Sequence, residues 1–223
     1  MEILHLGTHR VGVRLPENGL AAQGSPAILL NDGELIERLD LRTERAVLVG
    51  LFPNDRLAEY TPWPEPAIRP GAPDFGGQLG RYHRELLDEI LPGLAARYAL
   101  DPAKLAYGGY SLGGLAAVMS LWETDAFAAV FSLCGSFWYP GAADFVETHA
   151  LQNRKARVFL QNGTREGEGH NNRLREAGGY ARRVHAALQA ACGAKTLMDG
   201  YGHHDRQAER FHTALCWAEE TLA

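Results

Sequence analysis

The chain has 223 residues, of which 46% are hydrophobic and 22% are charged, an ordinary balance for a soluble globular protein. Its net charge of -5 argues against nucleic acid or an anionic membrane surface as a partner. Its three cysteines are scattered and form no CxxC pair, which favours a reduced cytoplasmic setting over a disulfide scaffold.

Several apolar runs in the N-terminal quarter of the chain predict strands. Short runs within residues 1–14 predict two strands around Gly7, and residues 26–33 and 46–52 predict two buried strands. Continuous Val and Leu runs of this kind are typical of strands covered on both faces of a parallel sheet. No secretion signal or membrane-spanning stretch is expected, because no basic region precedes a long apolar run.

A proline-rich loop and a long helix are predicted next. Residues 53–75 contain many prolines and few periodic apolar positions, which indicates a long surface loop of the kind that often serves function. Residues 80–100 place their apolar side chains at helical spacing. Pro92 lies inside this pattern, so the helix should kink or split there.

The most informative stretch is residues 104–119, which reads as a strand, a sharp turn and a helix. At the turn, Gly109-Tyr-Ser111-Leu-Gly113 matches G-x-S-x-G, the pattern that exposes a nucleophilic serine between strand and helix. Glycines are needed on both sides of Ser111 because side chains there would collide where the strand and helix pass closely. The sequence therefore predicts Ser111 as a nucleophile.

The rest of the chain continues to alternate strands with helices. Strands are predicted at 128–134, 157–161 and 195–198, a polar loop at 162–172, and helices at 180–192 and 207–222. This alternation predicts right-handed βαβ crossovers. We therefore expect one α/β domain spanning 1–223, with a mostly parallel central sheet and helices on both faces.

A serine needs a base to take its proton, and six histidines follow Ser111 in the chain. Only His203 and His204 lie in a Gly-rich loop between a predicted strand and the last helix. His203 is preferred because Gly202 before it permits a close approach, and His204 is the alternative. His185 and His212 fall within helical patterns and are expected at the surface.

The base in turn needs a carboxylate, which in this architecture follows an earlier strand. Glu166 is the first acid in the loop after the strand at 157–161 and is the preferred candidate. Glu168 and Asp205 are alternatives, and a Ser-His dyad without an acid also stays open. Two backbone N–H groups should bind the oxyanion, one from Leu112 and one from the region of Leu51 and Phe52.

With these residues in place, the chain resembles the "putative esterase" (esterase D-like) branch of the α/β-hydrolase superfamily, which includes the enterochelin-type siderophore esterases. The resemblance covers nearly the whole chain. The segments that carry it are Asp32-Gly33, Val49-Gly50 with Arg56 and Glu59-Tyr-Thr-Pro62, Gly108-Gly-Tyr-Ser-Leu-Gly-Gly-Leu115, Gly135-Ser-Phe-Trp138, Gly163-Thr-Arg-Glu166, and Gly202-His203 with Phe211.

The resemblance implies a Ser/His/acid esterase that needs no metal or organic cofactor. It also supports His203, because family members carry a Gly-His pair before their last helix. The chain departs from many relatives by having Asp205-Arg-Gln-Ala where they have a tryptophan soon after the histidine. It is also shorter than siderophore esterases that have a lid insertion or an extra N-terminal domain.

Side chains on loops near the predicted catalytic edge are candidates for binding substrate. Arg56 is a candidate partner for an anionic group, and Tyr60 and Trp138 are candidates for a ligand groove, although buried packing is the commoner use of such aromatics. Cys134 ends an apolar strand and is expected to pack as a small hydrophobe rather than to act as a nucleophile.

The sequence thus predicts a cytoplasmic serine esterase that cleaves a small-molecule ester through an acyl-enzyme intermediate. An acyltransferase on the same residues is the alternative enzyme, and a non-catalytic binding domain on the same fold is the alternative from another class. A homodimer is compatible with the sequence. The identity of the ester is not encoded in any motif.

Overall fold

A central sheet of eight strands organises the structure, a computed structural model that describes residues 1–22 and 24–223. The strands are β1 (Glu2–Leu6), β2 (His9–Arg14), β3 (Ser25–Asn31), β4 (Val47–Phe52), β7 (Leu100–Tyr110), β8 (Ala129–Leu133), β9 (Arg157–Gly163) and β10 (Lys195–Asp199). A separate two-stranded ribbon consists of β5 (Pro64–Glu65) and β6 (Phe75–Gly76). In the main sheet the spatial order is β1-β2-β4-β3-β7-β8-β9-β10.

From β4 to β10 all neighbouring strands of this sheet are parallel, whereas β1 and β2 add an antiparallel edge. Strands β3 and β7 lie at the centre and pair Leu30 with Gly108. Parallel strands buried on both faces require continuous apolar runs, which is what these segments supply. The prediction of a mostly parallel sheet is confirmed.

Helices cover both faces of the sheet, as the sequence predicted. They are α1 (Leu35–Arg38), α2 (Arg56–Glu59), α3 (Leu79–Glu85), α4 (Leu91–Tyr98), α5 (Leu112–Met119), α6 (Ala142–Thr148), α7 (Ala177–Cys192) and α8 (Gln207–Thr221). Alternate strand residues enter opposite cores, so that Leu29 belongs to one cluster and Leu30 to the other. The first cluster includes buried side chains of α3 to α7, and the second those of α1 and α8.

Proline splits the long helix that the periodicity predicts. Between α3 and α4 the chain forms a π-helical turn over Leu86–Ile90, and Pro92 lies in the first turn of α4. A proline has no N–H to donate to the preceding turn, and a π-helical turn accommodates the missing helical hydrogen bond. The predicted loop at 53–75 also contains α2 and the β5–β6 ribbon, which its irregular pattern did not reveal.

The carboxyl ends of the parallel strands bring five loops to the same edge of the sheet. These loops follow β3, β7, β8, β9 and β10, and the site described below is formed by them together with the strand ends and helices beside them. Within the described residues, no helix combines the length and the apolar character needed to cross a bilayer.

Candidate active site

Ser111 lies between β7 and α5 in a backbone conformation that few residues adopt. Its φ of 58° and ψ of -121° are unfavourable for a residue with a side chain, and such strain is concentrated at functional sites. Its N–H donates to the carbonyl of Leu133 at 3.0 Å, which ties the turn to β8. A Cβ added at Gly109 would collide with the carbonyl of Gly113, so the close approach predicted for these glycines is present.

His203 is the histidine that reaches Ser111. Its Nε2 lies 3.1 Å from the Oγ of Ser111, and its Nδ1 lies 2.9 Å from the Oε2 of Glu166. The side chain is one-quarter exposed, so the ring is accessible from the cleft while its inner nitrogen faces the protein. The three residues preferred from the sequence therefore form one chain of hydrogen bonds.

Glu166 is buried beside the end of β9, with only 5% of its surface exposed. Besides His203, it accepts hydrogen bonds on Oε1 from the N–H of Gly163 at 2.7 Å and from the Nδ2 of Asn162 at 3.1 Å. Burial alone would raise the pKa of the Glu166 carboxyl. The hydrogen bond and charge of His203, with the N–H of Gly163, outweigh burial and hold this pKa below its usual range. The group is therefore a carboxylate at neutral pH.

The alternative residues have other partners. Glu168 is exposed and pairs with Arg165 at 2.8 Å, and Asp205 accepts a hydrogen bond from the N–H of Gly202 at 2.8 Å. His204 is exposed on the cleft, with its ring edge-on to that of His203 at 4.8 Å between centroids. The carboxylate bonded to the imidazole of His203 is that of Glu166.

Arg210 on α8 holds the loop that carries His203, and sequence reasoning missed it. The residue is 2% exposed, and its guanidinium bonds both oxygens of Asp199 at 2.8 Å and 2.6 Å. It also donates to the carbonyls of Gly202 at 3.1 Å and His203 at 3.3 Å, and the latter carbonyl accepts from the hydroxyl of Tyr110 as well. One sequence signal was available, because Arg210 falls on the apolar face of its amphipathic helix. An arginine in such a position is rarely buried unless an acid pairs with it.

Ser136 is a second hydroxyl beside the nucleophile that the sequence did not single out. Its Oγ lies 3.2 Å from that of Ser111, and its N–H donates to the Ser111 carbonyl at 3.0 Å. The side chain is fully buried. Either hydroxyl of this pair can donate to the other, so Ser136 can donate to the Ser111 oxygen when the Ser111 proton is directed to His203.

The prediction that Leu51 and Phe52 supply an oxyanion donor is wrong. Both belong to β4, which in the sheet is separated from β7 by β3. Leu51 is paired with β2 and β3 on its two sides, and its carbonyl accepts from the N–H of Gly33 at 2.9 Å. The strand next to the serine is β3, so the adjoining loop is 31–33. The sequence does not show that β3 lies between β4 and β7 in the sheet.

An open cleft of about 340 Å³ lies over Ser111 and has a polar lining. It is lined by Asp32, Glu34, Leu35, Arg38, Arg56, Tyr110, Ser111, His203, His204 and Gln207. Arg56 belongs to this lining as predicted, but its guanidinium forms a bidentate pair with Asp32 at 2.7 Å and 2.8 Å. Arg56 and Asp32 together therefore contribute no net charge to the cleft.

Two predicted substrate contacts and one predicted surface residue are placed differently. Tyr60 is fully buried and its hydroxyl accepts from the N–H of Asp32 at 3.0 Å, so it supports the loop rather than lining the cleft. Trp138 is 9% exposed and packs edge-on against Phe75. His185, expected at the surface, is buried because its face of α7 packs against β9. Helical spacing alone did not show which face of α7 is inward.

Cys134 lies beside Glu166, and these two residues and His203 are of the types that can ligate a metal ion. The Sγ of Cys134, a Glu166 oxygen and a ring nitrogen of His203 lie within 4.8 Å of one another. The guanidinium of Arg210 donates to the same Sγ at 2.8 Å, and His203 Nδ1 is bonded to Glu166. Burial raises the pKa of the Cys134 thiol, so it stays protonated. A cation there would have to displace both interactions.

Comparison of the sequence with known families gives one family model, described as "Putative esterase", that matches residues 7–220. A curated relative is the uncharacterized protein YbbA of Bacillus subtilis (strain 168), which is 28% identical over 237 residues and 95% of each chain.

Solved structures with the same fold include an IroE-like serine hydrolase from Shewanella oneidensis. It is 19% identical, with a TM-score of 0.72, over 94% of this chain and 74% of that one. The siderophore hydrolase EstA from Aspergillus nidulans is 16% identical, with a TM-score of 0.72, over 96% and 91% of the two chains. The enterobactin esterase FES from Shigella flexneri is 20% identical, with a TM-score of 0.65, over 96% and 54%.

Proposed function

Because this chain belongs to the "Putative esterase" family and is a carboxylic ester hydrolase, we propose that it works through a Ser111–His203–Glu166 triad and an acyl-enzyme intermediate. The observation that supports this most directly is the continuous hydrogen-bond chain from the Ser111 hydroxyl through the imidazole to the Glu166 carboxylate, at 3.1 Å and 2.9 Å. Separations of this size are within reach of proton transfer.

The proposed reaction begins with attack by the Ser111 oxygen on the ester carbonyl while the Nε2 of His203 takes its proton. The tetrahedral intermediate then collapses, the carbon–oxygen bond to the alcohol breaks, and His203 returns the proton to the departing alcohol. Water next attacks the Ser111 acyl ester, again losing its proton to His203. The acid leaves as the Ser111 hydroxyl is restored.

Glu166 assists these proton transfers in two ways. Its hydrogen bond to Nδ1 keeps that nitrogen protonated and leaves Nε2 free to accept from Ser111. Its negative charge stabilises the imidazolium that forms during attack. Three donors to the carboxylate hold it ionised against the opposing effect of burial, and the same hydrogen bonds keep it in place.

The oxyanion is proposed to bind at the N-terminus of α5. The N–H of Leu112 lies in the first turn of this helix, where backbone donors have no partner within the helix and the helix dipole favours negative charge. The second donor is proposed to come from the 31–33 loop after β3, where Asp32 has a φ of 60°. The N–H groups of Asp32 and Gly33 bond Tyr60 and Leu51 here, so one must be released as substrate binds.

The substrate is proposed to be a small ester with a polar alcohol or acyl part, rather than a long-chain lipid. Four charged side chains line the cleft against a single aliphatic one, Leu35. FES and EstA are named for enterobactin and siderophores, and a trilactone siderophore is therefore one ester to include in a screen.

The test is hydrolysis of p-nitrophenyl acetate by the wild-type chain and by Ser111→Ala. We expect the wild type to release p-nitrophenol with an initial burst and the variant to lose both phases. Adding methanol separates hydrolysis from acyl transfer, because an acyltransferase would give mainly methyl acetate. Wild-type turnover by the alanine variant would refute the proposed mechanism.

A further inference from the structure

His185 is a buried imidazole next to the proposed triad, and the mechanism above does not use it. It lies on α7 with 5% of its surface exposed. Its Nε2 is 2.9 Å from the Oδ1 of Asn162, at the end of β9. Its Nδ1 is buried and has no hydrogen-bond partner within residues 1–22 and 24–223. One ring nitrogen is thus engaged and the other is enclosed.

Asn162 connects this imidazole to the proposed catalytic acid. Its Nδ2 donates to the Oε1 of Glu166 at 3.1 Å and to the carbonyl of Gly135 at 3.4 Å. An asparagine amide has a donor side and an acceptor side, and turning it over exchanges them. In the turned orientation the Oδ1 would face the Glu166 carboxylate and repel it. The orientation of this amide therefore matters for the acid.

The contact with His185 selects the productive orientation. The amide nitrogen of Asn162 donates to Gly135 and Glu166, so the amide oxygen is the atom that faces His185. An amide oxygen only accepts hydrogen bonds, and His185 must therefore donate through Nε2–H. Burial lowers the pKa of His185 to about 4. Protonation would place an additional N–H on the enclosed Nδ1, so the ring stays neutral at neutral pH. A neutral imidazole with its proton on Nε2 is a fixed donor.

We propose that His185 and Asn162 are positioning residues that hold the Glu166 carboxylate in line with the Nδ1 of His203. His185 fixes the amide of Asn162, Asn162 with the N–H of Gly163 fixes one carboxylate oxygen, and the other oxygen is left to His203. This inference rests on the proposed function, because it assumes that Glu166 serves as the triad acid. It extends the site from three residues to five.

The test compares His185→Leu, which cannot donate, with His185→Gln, whose side-chain amide can donate to the Asn162 oxygen. His212→Leu is the matched control, because His212 is an exposed histidine on α8. With p-nitrophenyl acetate we expect kcat of His185→Leu to fall about tenfold with KM little changed, since displacement of a catalytic group costs rate rather than binding. His185→Gln should recover most of this loss, and His212→Leu should match the wild type.

A second readout does not depend on turnover. Proton NMR reports the Nδ1–H of a carboxylate-bonded histidine as a strongly downfield resonance. We expect this resonance of His203 to be present in the wild type, His185→Gln and His212→Leu and to be broadened or lost in His185→Leu. Thermal melting of each variant establishes that the folded state is intact at the assay temperature.

Two results would overturn the positioning role. One is an unchanged kcat and an unchanged downfield resonance in His185→Leu. The other is an equal loss in His185→Leu and His185→Gln that follows their melting temperatures, which would indicate packing alone. Failure of the proposed function is a separate result: the wild type and Ser111→Ala would be equally inactive, while the NMR comparison would still decide the positioning role.

Discussion

The serine turn and the histidine loop lie on the same edge of the sheet but are held in different ways. Ser111 is fixed by its own neighbours in sequence, with β7 before it, α5 after it and glycines where the two pass. His203 lies in a loop of turns between β10 and α8, and residues 200–201 and 204–206 of this loop are exposed. Its position depends on Arg210, Asp199 and Tyr110, which are contributed by separate elements.

The difference shows two ways of placing a reactive group. A strained turn built into a strand–helix connection needs only local residues, and five consecutive positions specify it. A loop held by a buried ion pair needs partners that the chain brings together only on folding. We therefore expect changes at the serine to affect chemistry alone, and changes around the histidine to affect chemistry and stability together.

The largest expected effect separates chemistry from structure at the serine turn. Ser111→Ala should reduce kcat for p-nitrophenyl acetate by about 10⁴-fold or more, because no other group takes over as nucleophile. The melting temperature should stay close to that of the wild type, since alanine removes the partly buried hydroxyl contacts with Ser136 and His203 and leaves the backbone of the turn unchanged. Steady-state kinetics with a thermal melt measure both. A large loss of stability would show that the turn depends on more than its backbone.

The next prediction distinguishes the two neighbouring histidines. His203→Ala should reduce kcat by about 10³-fold or more, because the imidazole bonded to Ser111 is removed. His204→Ala should change kcat by less than about tenfold, since its ring lies edge-on to that of His203. Steady-state kinetics of both variants with p-nitrophenyl acetate measure these two losses. A larger loss in His204→Ala than in His203→Ala would reassign the base.

Arg210→Leu tests whether the histidine loop couples activity to stability. We expect the free energy of unfolding to fall by about 3 kcal/mol, because removing one partner of a buried pair leaves the other charge uncompensated. Since Arg210 also bonds the carbonyls at 202 and 203, kcat should fall by about tenfold or more. Arg182→Ala, an exposed arginine on α7, is the control and should be neutral in both urea unfolding and kinetics.

The last prediction concerns pH and affects stability without a change in the active-site residues. The pKa of His185 is lowered by burial from its ordinary 6.5 to about 4, so the unfolded chain takes up a proton before the folded one does. Its contribution to stability is complete above pH 6.5 and is lost as the pH falls towards 4. At about 1.4 kcal/mol for each pH unit between these values, the loss is about 3 kcal/mol.

Urea unfolding at several pH values checks this prediction. The wild type should lose stability between pH 6.5 and 4, and His185→Gln should lose less over the same range. His149→Gln, at an exposed position, is the control and should follow the wild type. Identical slopes for wild type and His185→Gln would contradict the burial of a neutral imidazole there.

Sequence reasoning recovered what local patterns encode. The strands, the split helix at Pro92 and the serine turn all follow from runs of apolar residues, glycines and prolines along the chain. The choice of Glu166 and His203 followed from their places after strands, and in the structure Glu166 is bonded to His203 and His203 to Ser111. These features share one property, since each is decided by residues close together in sequence.

What sequence reasoning missed depends on spatial neighbours. The strand order puts β3 rather than β4 beside β7, so Leu51 and Phe52 were the wrong source of a donor. His185 was expected outside because helical spacing does not say which face of α7 meets the sheet. Arg210 was missed for the same reason, because its partners at the end of β10 approach it only in the folded chain.

The central claim is that Ser111 carries the acyl group during turnover, and an acid quench tests it directly. Wild-type protein mixed with p-nitrophenyl acetate and quenched in the burst phase should carry one acetyl group, found by peptide mass spectrometry on the peptide containing Ser111. His203→Ala should acquire it far more slowly. Acetylation of a different residue, or a burst with Ser111 unmodified, would contradict the account.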